Sequence, residues 1–251
     1  MPGIGRRMIP AGSDSAERAG EVRLIRAALD SRVNQERREK AQSYFPTAME
    51  VLGVAVKDIR NVLRPITRKY KKEEPGEVLA LARLLIAANV HEMRQLAYEL
   101  IEAHKGAFGL LNGELLEELG TGMDNWATVD CFCVALSGRA WQQALIGDKA
   151  IESWARSENR WWRRAALVST VPLNLKSRGG CGDPERTFRI CGMLAGDHDD
   201  MVVKALSWAL REYAKRDGKA VRSFINEHDR LLHRRVVAEV QRKLTTGRKN
   251  G

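Results

Sequence analysis

Apolar residues recur every three or four positions over most of this chain, and that spacing places them on one face of an α-helix. The pattern is clearest in EVLALARLLIAANV (77–90), EMRQLAYELIEAH (92–104) and MVVKALSWALREYAK (201–215). No run alternates apolar and polar residues as a half-buried strand does, and no Asn-Gly turn joins two β-branched runs. The sequence therefore predicts an all-α protein.

Four helical segments share a basic residue near their start, followed by small or apolar residues. These are EMRQLAYELI with Arg94, WWRRAALVST with Arg164, MVVKALSWAL with Lys204 and LLHRRVVAEV with Arg235. The basic residues are 70, 40 and 31 positions apart, and 70 is about two repeats of about 35 residues. A helix between Trp126 and Leu136 can supply the missing unit. The spacing predicts a HEAT-like helical-repeat solenoid, with an irregular helical bundle as the alternative.

The net positive charge of the chain suggests what such a repeat would bind. Equivalent helices of a solenoid line one concave surface, so basic residues at equivalent positions form a stripe. The chain has 42 Lys and Arg against 32 Asp and Glu, a net charge of +10. We therefore expect a curved solenoid with a basic concave face that binds the DNA phosphate backbone. Solvated helix faces, an anionic membrane surface and an acidic protein are the alternative explanations of the charge.

The two ends of the chain differ in composition from the rest. Residues 1–20, MPGIGRRMIPAGSDSAERAG, lack a continuous apolar stretch, so we expect a disordered tail rather than a secretory signal. We expect one HEAT-like domain over residues 21–246 and a flexible end at 247–251. No apolar run approaches the roughly 20 residues of a membrane span.

The cysteines lack the spacing of a metal site. Cys131, Cys133, Cys181 and Cys191 form no C-x-x-C pair and have no histidine at zinc-ligand spacing. We expect reduced thiols, no bound metal and no cofactor, in a cytoplasmic protein.

The stretch DNWATVD, residues 124–130, raises the first possibility of a reactive site. Trp126 and Asp130 are four residues apart and therefore project from one helix face. Asp130 lies in an apolar run, so we expect it to be partly buried, and a buried carboxylate needs a partner or a function. Two later segments add Arg164, in SENRWWRRAAL, and Trp208, four residues after Lys204.

These residue types together suit the hydrolysis of a glycosidic bond in DNA. Aromatic faces attract cations and stack on sugars and bases. A carboxylate stabilises an oxocarbenium ion or positions a water, and an arginine holds a phosphate. The alternative is structural: Asp130 pairs with an arginine, and the tryptophans bridge helices in the core.

Three motifs carry a resemblance to a known family. They are W-x-x-x-D from Trp126, N-x-W-x-R-R-A-A from Asn159, and V-x-K-A-x-x-W-x-L-R-E from Val202. They resemble the AlkD-like DNA alkylation repair glycosylases, over residues 41–244 approximately. The segment SYFPTAMEVLGVAVKDIRNVL resembles the opening of that family, except that Val56 stands where a proline is common. The glycine-rich loop at 177–184 is a second departure.

The resemblance implies a HEAT-like solenoid that cradles duplex DNA and removes cationic alkylated purines of the 3-methyladenine and 7-methylguanine type. It implies that the lesion stays stacked in the duplex. An enzyme that does not enclose the base can also admit bulky adducts, so small methyl and bulky adducts both stay open as preferred lesions. Asp130 would be the catalytic carboxylate, Trp126 and Trp208 the walls at the deoxyribose, and Arg164 the phosphate contact. A non-catalytic HEAT-repeat protein that binds damaged or branched DNA, and a protein scaffold, are the alternatives.

Further contacts to DNA are assigned to cations near these motifs. The predicted DNA-binding residues are Arg94, Arg139, Arg163, Lys204, Arg211 and Arg235; Lys204 and Arg211 have the alternative of ion pairs within their own helix. We assign Trp141 and Trp154 to packing, and expect one of Trp161 and Trp162 to pack in the core. We expect a monomer that acts on alkylated double-stranded DNA, without a membrane, in the nucleoid of the cytoplasm.

Overall fold

The computed structural model describes residues 11–247, and these form helices joined by turns. Within that range the chain has no strand, only an isolated bridge between Glu50 and Val90. The prediction of an all-α protein is confirmed. None of the helices in the described part of the chain is long and apolar enough to cross a membrane.

The first compact unit consists of the described residues up to Tyr44 together with Met49–His104. Its helices are α1 (Ala11–Asp30), α2 (Gln35–Tyr44), α3 (Val56–Tyr70), α4 (Pro75–Ala87) and α5 (His91–Ala103). The predicted boundary at residue 20 falls inside α1, so residues 11–20 are helical and not a disordered tail. Residues 1–10 of that tail, and 248–251 at the other end, lie outside the described residues.

Helix α5 forms the centre of the first unit and packs on α3 and α4. Its Glu92 is 2% exposed and accepts backbone N–H groups from Leu52 at 3.0 Å, Gly53 at 2.8 Å and Val54 at 3.2 Å. Gly53 has a φ of +74°, and a Cβ there would lie 2.5 Å from the Asn34 carbonyl oxygen. The turn that carries these N–H groups therefore requires glycine.

Val56, where the resemblance expects a proline, is the first residue of α3. The N–H groups of the first helical turn have no partner inside the helix, so a proline and a valine are both accommodated there. The departure therefore leaves the start of α3 intact.

The second compact unit consists of Phe45–Ala48 and the described residues from Lys105 onward. Its helices are α6 (Lys105–Gly109), α7 (Gly113–Gly120), α8 (Trp126–Phe132), α9 (Gly138–Gln142), α10 (Asp148–Ala155), α11 (Arg160–Asn174), α12 (Pro184–Met193), α13 (Asp200–Tyr213), α14 (Gly218–Glu227) and α15 (Arg234–Thr246). A π-helical segment, Cys133–Ser137, joins α8 to α9. The chain contacts divide into these two compact units, and the single domain predicted over residues 21–246 stays a prediction.

Helix α11 is the central element of the second unit. It packs against α8, α9, α10, α12 and α13, and α13 packs in turn against α15. The three packed helices α11, α13 and α15 carry Arg164, Lys204 and Arg235 in that order. This succession is the one expected of a helical repeat. The curvature and the basic concave face stay predictions.

The glycine-rich loop at 177–184 is fastened to the end of α11. Gly182 donates its N–H to the Leu173 carbonyl at 3.0 Å, and Asp183 donates its N–H to Asn174 Oδ1 at 3.0 Å. Arg216, three residues after the end of α13, donates from Nη2 to the Gly180 carbonyl of the loop and from Nε to the Asn174 carbonyl at 3.0 Å. The loop therefore makes polar contacts with Leu173, Asn174 and Arg216, all in its own unit.

Candidate active site

The start of α8 places Trp126 and Asp130 on one side of the helix. Asn125 is the N-cap, and its Oδ1 accepts the Thr128 N–H at 2.9 Å. Val129 and Phe132 are fully buried, so they face the core of the second unit. The Asp130 side chain keeps 17% of its surface exposed. The prediction that the Asp130 carboxylate is partly buried is therefore confirmed.

The π-helical segment after α8 fixes this helix against α11. Ser137 Oγ and Ser169 Oγ are 2.7 Å apart, and Cys133 Sγ donates to the Ala165 carbonyl at 3.4 Å. A Cβ on Gly138, the first residue of α9, would lie 2.6 Å from the Ser169 carbonyl oxygen, so glycine permits the close approach of α9 and α11. Single π-helical turns inside α-helices are frequent at functional sites.

Asp130 and Arg164 form a bidentate ion pair. Arg164 Nε donates to Asp130 Oδ1 at 2.9 Å, and Arg164 Nη2 donates to Asp130 Oδ2 at 2.9 Å. Arg164 Nη1 donates to the Met201 carbonyl at 2.6 Å. The Arg164 side chain is 6% exposed. One arginine of α11 thus binds α8 through a carboxylate and α13 through a main-chain oxygen.

The surroundings of Asp130 are of low polarity. Burial raises the pKa of the Asp130 carboxyl, while the charge of Arg164 and its hydrogen bonds act in the opposite direction. Charges in such surroundings interact more strongly than in water. A cation that forms next to Asp130 would therefore be stabilised more than it would be at an exposed aspartate.

The two predicted aromatic walls lie on the helices that Arg164 connects. Trp126 is half-buried, and the edge of its ring system meets Phe45 at 5.9 Å between centroids and 84° between planes. Trp208 is also half-buried, and it follows Met201 by seven residues, on the same side of α13. The structure brings Asp130 and Arg164 into contact. Trp126 lies on α8 with Asp130, and Trp208 lies on α13 with Met201, the second residue that Arg164 binds.

Two of the predicted DNA contacts meet at one carboxylate. Lys204 Nζ lies 2.6 Å from Asp200 Oδ2, and Arg235 Nη1 lies 2.9 Å from Asp200 Oδ1. Arg235 Nε also lies 2.9 Å from Glu239 Oε1. The side chains of Lys204 and Arg235 keep 39% and 41% of their surface exposed. They are accessible cations, each already paired.

Arg163, Arg211 and Arg139 have partners inside the protein. Arg163 Nε lies 2.6 Å from Asp197 Oδ2. Arg211 Nε donates to Ser207 Oγ at 3.1 Å, and burial lowers the Arg211 pKa. The Arg139 guanidinium lies 5.1 Å from the centre of the Phe108 ring.

Arg94, in the first unit, is 4% exposed. It is about as buried as Arg164, which is 5% exposed, so the DNA contact predicted for Arg94 stays a prediction. The sequence pattern placed Arg94 beside three other basic anchors, but position in a repeat does not determine burial.

The other four tryptophans differ in burial: Trp141 and Trp154 are buried, and Trp161 and Trp162 are half-buried. Trp141 and Trp154 are 1% and 3% exposed, which confirms their assignment to packing. Trp162 packs 4.9 Å from Trp154 and 6.1 Å from Phe132, centroid to centroid. Trp161 lies 4.8 Å from the Arg160 guanidinium and is half-buried, as Trp162 is.

Sequence reasoning missed the contacts made by Asp124. Its Oδ1 accepts the Thr47 hydroxyl at 2.5 Å and its Oδ2 accepts the Ala48 N–H at 2.6 Å. The sequence interpretation placed Asp124 only near the helix start. Thr47 is 77 positions away, so no local pattern signals the contact.

Within the described residues, no three His, Cys, Asp or Glu side chains group as metal ligands.

Comparisons with known proteins indicate the family of this chain. A family model described as DNA alkylation repair enzyme matches residues 25–244. A solved structure, described as a predicted DNA alkylation repair enzyme from Enterococcus faecalis, superposes with a TM-score of 0.67 at 15% identity, covering 86% of this chain and 98% of that one. That likeness shows a shared helical fold. No curated protein matches the chain. The family match covers most of the sequence, so the chain belongs to the DNA alkylation repair enzyme family.

Proposed function

We propose that this protein is a monofunctional DNA glycosylase that hydrolyses the N-glycosidic bond of cationic N3- and N7-alkylated purines in duplex DNA. The observation that carries the proposal is the Asp130 carboxylate, held by Arg164 through two hydrogen bonds of 2.9 Å beside Trp126 on α8. The family supplies the substrate class, since its members repair alkylated DNA.

The chemistry needs one carboxylate and no general acid. An N3- or N7-alkylated purine is already positively charged, so it leaves without being protonated. Positive charge then develops on the deoxyribose, where a nearby carboxylate stabilises it and orients the attacking water. By comparison with the loss of a single oxyanion-hole donor, we assign Asp130 about 3–4 kcal/mol of transition-state stabilisation.

Arg164 has a larger task in this proposal than holding a phosphate. Three of its five N–H groups are engaged, one on each nitrogen, by Asp130 and the Met201 carbonyl. These contacts fix the plane of the carboxylate. The remaining two N–H groups, on Nη1 and Nη2, are the ones we assign to a backbone phosphate. Arg164 is thus a positioning residue for Asp130 first.

Trp126 and Trp208 are assigned to the two sides of the deoxyribose. Each face would add about 0.5–2 kcal/mol of cation–π attraction to a sugar cation. Because these side chains address the sugar and not the base, we propose that the lesion stays stacked. A base that is not enclosed leaves room for bulky adducts.

Lys204 and Arg235 are the cations we assign to the DNA backbone, because they keep about two-fifths of their side chains exposed. Both side chains bind the carboxylate of Asp200, so their positive charges lie close enough together to contact the same DNA phosphate. We further propose that the protein acts as a monomer on nucleoid DNA.

The test is release of free 7-methylguanine from a duplex that contains it, with an unmodified duplex as the control. The proposal predicts release from the modified duplex, with an abasic site left behind and no strand cleavage. Binding to the modified duplex without any release would favour a non-catalytic DNA-binding protein. Trapping of a covalent complex by borohydride would contradict the monofunctional mechanism.

A further inference from the structure

A short segment of the second unit, Phe45–Ala48, is tied to the start of α8 by one carboxylate. Asp124 accepts the Thr47 hydroxyl at 2.5 Å on one oxygen and the Ala48 N–H at 2.6 Å on the other. Both oxygens thus serve a segment more than 70 positions earlier in the chain. Bonds to an ionised acceptor are about twice as strong as neutral ones.

The same contact reaches the N-cap of α8. Asn125, 1% exposed, donates from Nδ2 to Thr47 Oγ1 at 3.3 Å and to Thr128 Oγ1 at 3.0 Å. Its Oδ1 accepts the Thr128 N–H. The residue that begins the helix and the residue that binds the segment are therefore coupled through Thr47.

The segment brings Phe45 against Trp126. The two rings meet edge to face at 5.9 Å and 84°, a preferred aromatic geometry. Trp126 is the first residue of α8, where a side chain has no preceding helical turn to pack on. Its orientation consequently depends on contacts from outside the helix, and Phe45 supplies one.

We propose that Asp124, Thr47 and Phe45 form a clamp that positions Trp126 for the reaction. This inference rests on the proposed function, because Trp126 is there the wall at the deoxyribose. The three clamp residues touch neither substrate nor reacting atoms in this account. They are positioning residues that act through Trp126, so the clamp affects the rate of base release more than DNA binding.

The decisive comparison uses two variants of Thr47. Thr47→Val keeps the branched shape and removes the hydroxyl that Asp124 and Asn125 share, whereas Thr47→Ser keeps the hydroxyl. We expect Thr47→Val to slow single-turnover release of 7-methylguanine about tenfold, because a small misplacement of a reacting partner is costly. DNA affinity should stay within about twofold, and Thr47→Ser should restore the wild-type rate.

A double-mutant cycle separates positioning from general loss of structure. If the clamp acts through Trp126, Thr47→Val should cause no further slowing in a Trp126→Ala background. Equal slowing in both backgrounds, or no slowing by Thr47→Val alone, would overturn the proposal. Thermal unfolding of each variant verifies that the rates refer to folded protein.

A second readout does not depend on the reaction. The chain is labelled with 5-fluorotryptophan, and the resonance of residue 126 is assigned by its absence in Trp126→Phe. The clamp predicts a shifted or broadened resonance in Thr47→Val and an unchanged one in Thr47→Ser. An unchanged resonance in both overturns the clamp. If the wild-type protein releases no base while the resonance still responds, the proposed function fails and the contact stands.

Discussion

Glu92 in the first compact unit and Asp130 in the second are both largely withdrawn from water, and different groups bind their carboxylates. Glu92 accepts three backbone N–H groups from Leu52, Gly53 and Val54. Asp130 is paired with the side chain of Arg164. Glu92 is 2% exposed, whereas the Asp130 side chain keeps 17% of its surface open to solvent.

The difference separates a structural carboxylate from a candidate reactive one. Main-chain N–H groups in a turn that requires Gly53 are fixed in place, and they leave Glu92 no direction in which to meet a ligand. Arg164 satisfies Asp130 from one side and leaves part of its surface accessible. Burial alone does not identify a functional carboxylate; the accessible remainder, and the kind of partner, distinguish the two.

Arg164→Ala is expected to lower both the stability of the protein and the rate of base release. It leaves the Asp130 charge buried without its partner, which costs about 3 kcal/mol of the free energy of unfolding, the lower end of the range for broken buried pairs because Asp130 is partly exposed. Base release should also fall about a hundredfold, since the carboxylate loses its orientation. Denaturant unfolding and single-turnover release measure the two effects.

The matched control for that variant is Arg163→Ala, one residue away. Arg163 also pairs with a carboxylate, Asp197, but away from Asp130, and its side chain is 21% exposed. We expect about 1 kcal/mol of destabilisation and, on saturating DNA where a weaker contact to the backbone does not matter, little change in the single-turnover rate of base release. Equal effects of the two variants on release would remove Arg164 from the site.

Glu92→Gln is expected to reverse the pattern. An amide offers one oxygen and turns an N–H group toward N–H donors, so unfolding should be easier by about 2 kcal/mol. The rate of base release per folded molecule should stay at the wild-type value. Glu36→Gln, at a side chain 74% exposed, is the control and should change stability by less than about 0.5 kcal/mol. A large loss of rate in Glu92→Gln would contradict a purely structural role.

The pH dependence of Asp130 tests its surroundings. Burial raises the pKa of this carboxyl above the ordinary aspartate value of about 3.9, so the native state keeps the proton to higher pH than the unfolded state does. The stability from Asp130 is then fully present below about pH 3.9 and is lost as the pH rises through the raised pKa. The free energy of unfolding of the wild type, minus that of Asp130→Asn, should fall with rising pH in this window.

A difference that rises with pH there would show that Arg164 outweighs burial. The rate of base release should follow the same titration in the opposite sense, because the proposed reaction uses the ionised carboxylate. On acidification the rate should therefore fall at a higher pH than an exposed aspartate would give.

The smallest effect is expected at an exposed carboxylate, Asp200, with a side chain 56% accessible. Asp200→Asn releases Lys204 and Arg235, so affinity for duplex DNA should rise about two- to fivefold at low salt, the scale of an exposed ion pair. Glu185→Gln removes one negative charge from α12, at a side chain 83% exposed. The same gain in both variants would mean that net charge alone matters.

Helical periodicity and local capping predicted much of the fold. The helices of the apolar segments at 77–90, 92–104 and 201–215 were predicted from their spacing, and the packing of Trp141 and Trp154 was predicted as well. The motif residues Asp130 and Arg164, 34 positions apart, were predicted to share a site, and the structure puts them in contact. Their roles in the reaction stay predictions.

Contacts that depend on tertiary structure were not predictable. Nothing in the sequence around Glu92 indicates the N–H groups of residues 52–54, because the turn at Gly53 creates them. The Met201 carbonyl, which accepts from Arg164, is a main-chain group that any residue provides. Arg94 had the same sequence signal as Lys204, yet one is buried and the other is accessible.

The central claim is that Asp130 is the group that acts on the sugar, and Asp130→Asn tests it most directly. This variant keeps the size of the side chain and removes its charge. Single-turnover release of 7-methylguanine from duplex DNA is measured for the variant and the wild type, with DNA affinity and thermal unfolding measured on the same samples. We predict a rate lower by about a hundredfold or more at similar DNA affinity. Release at the wild-type rate by the folded variant would contradict the account.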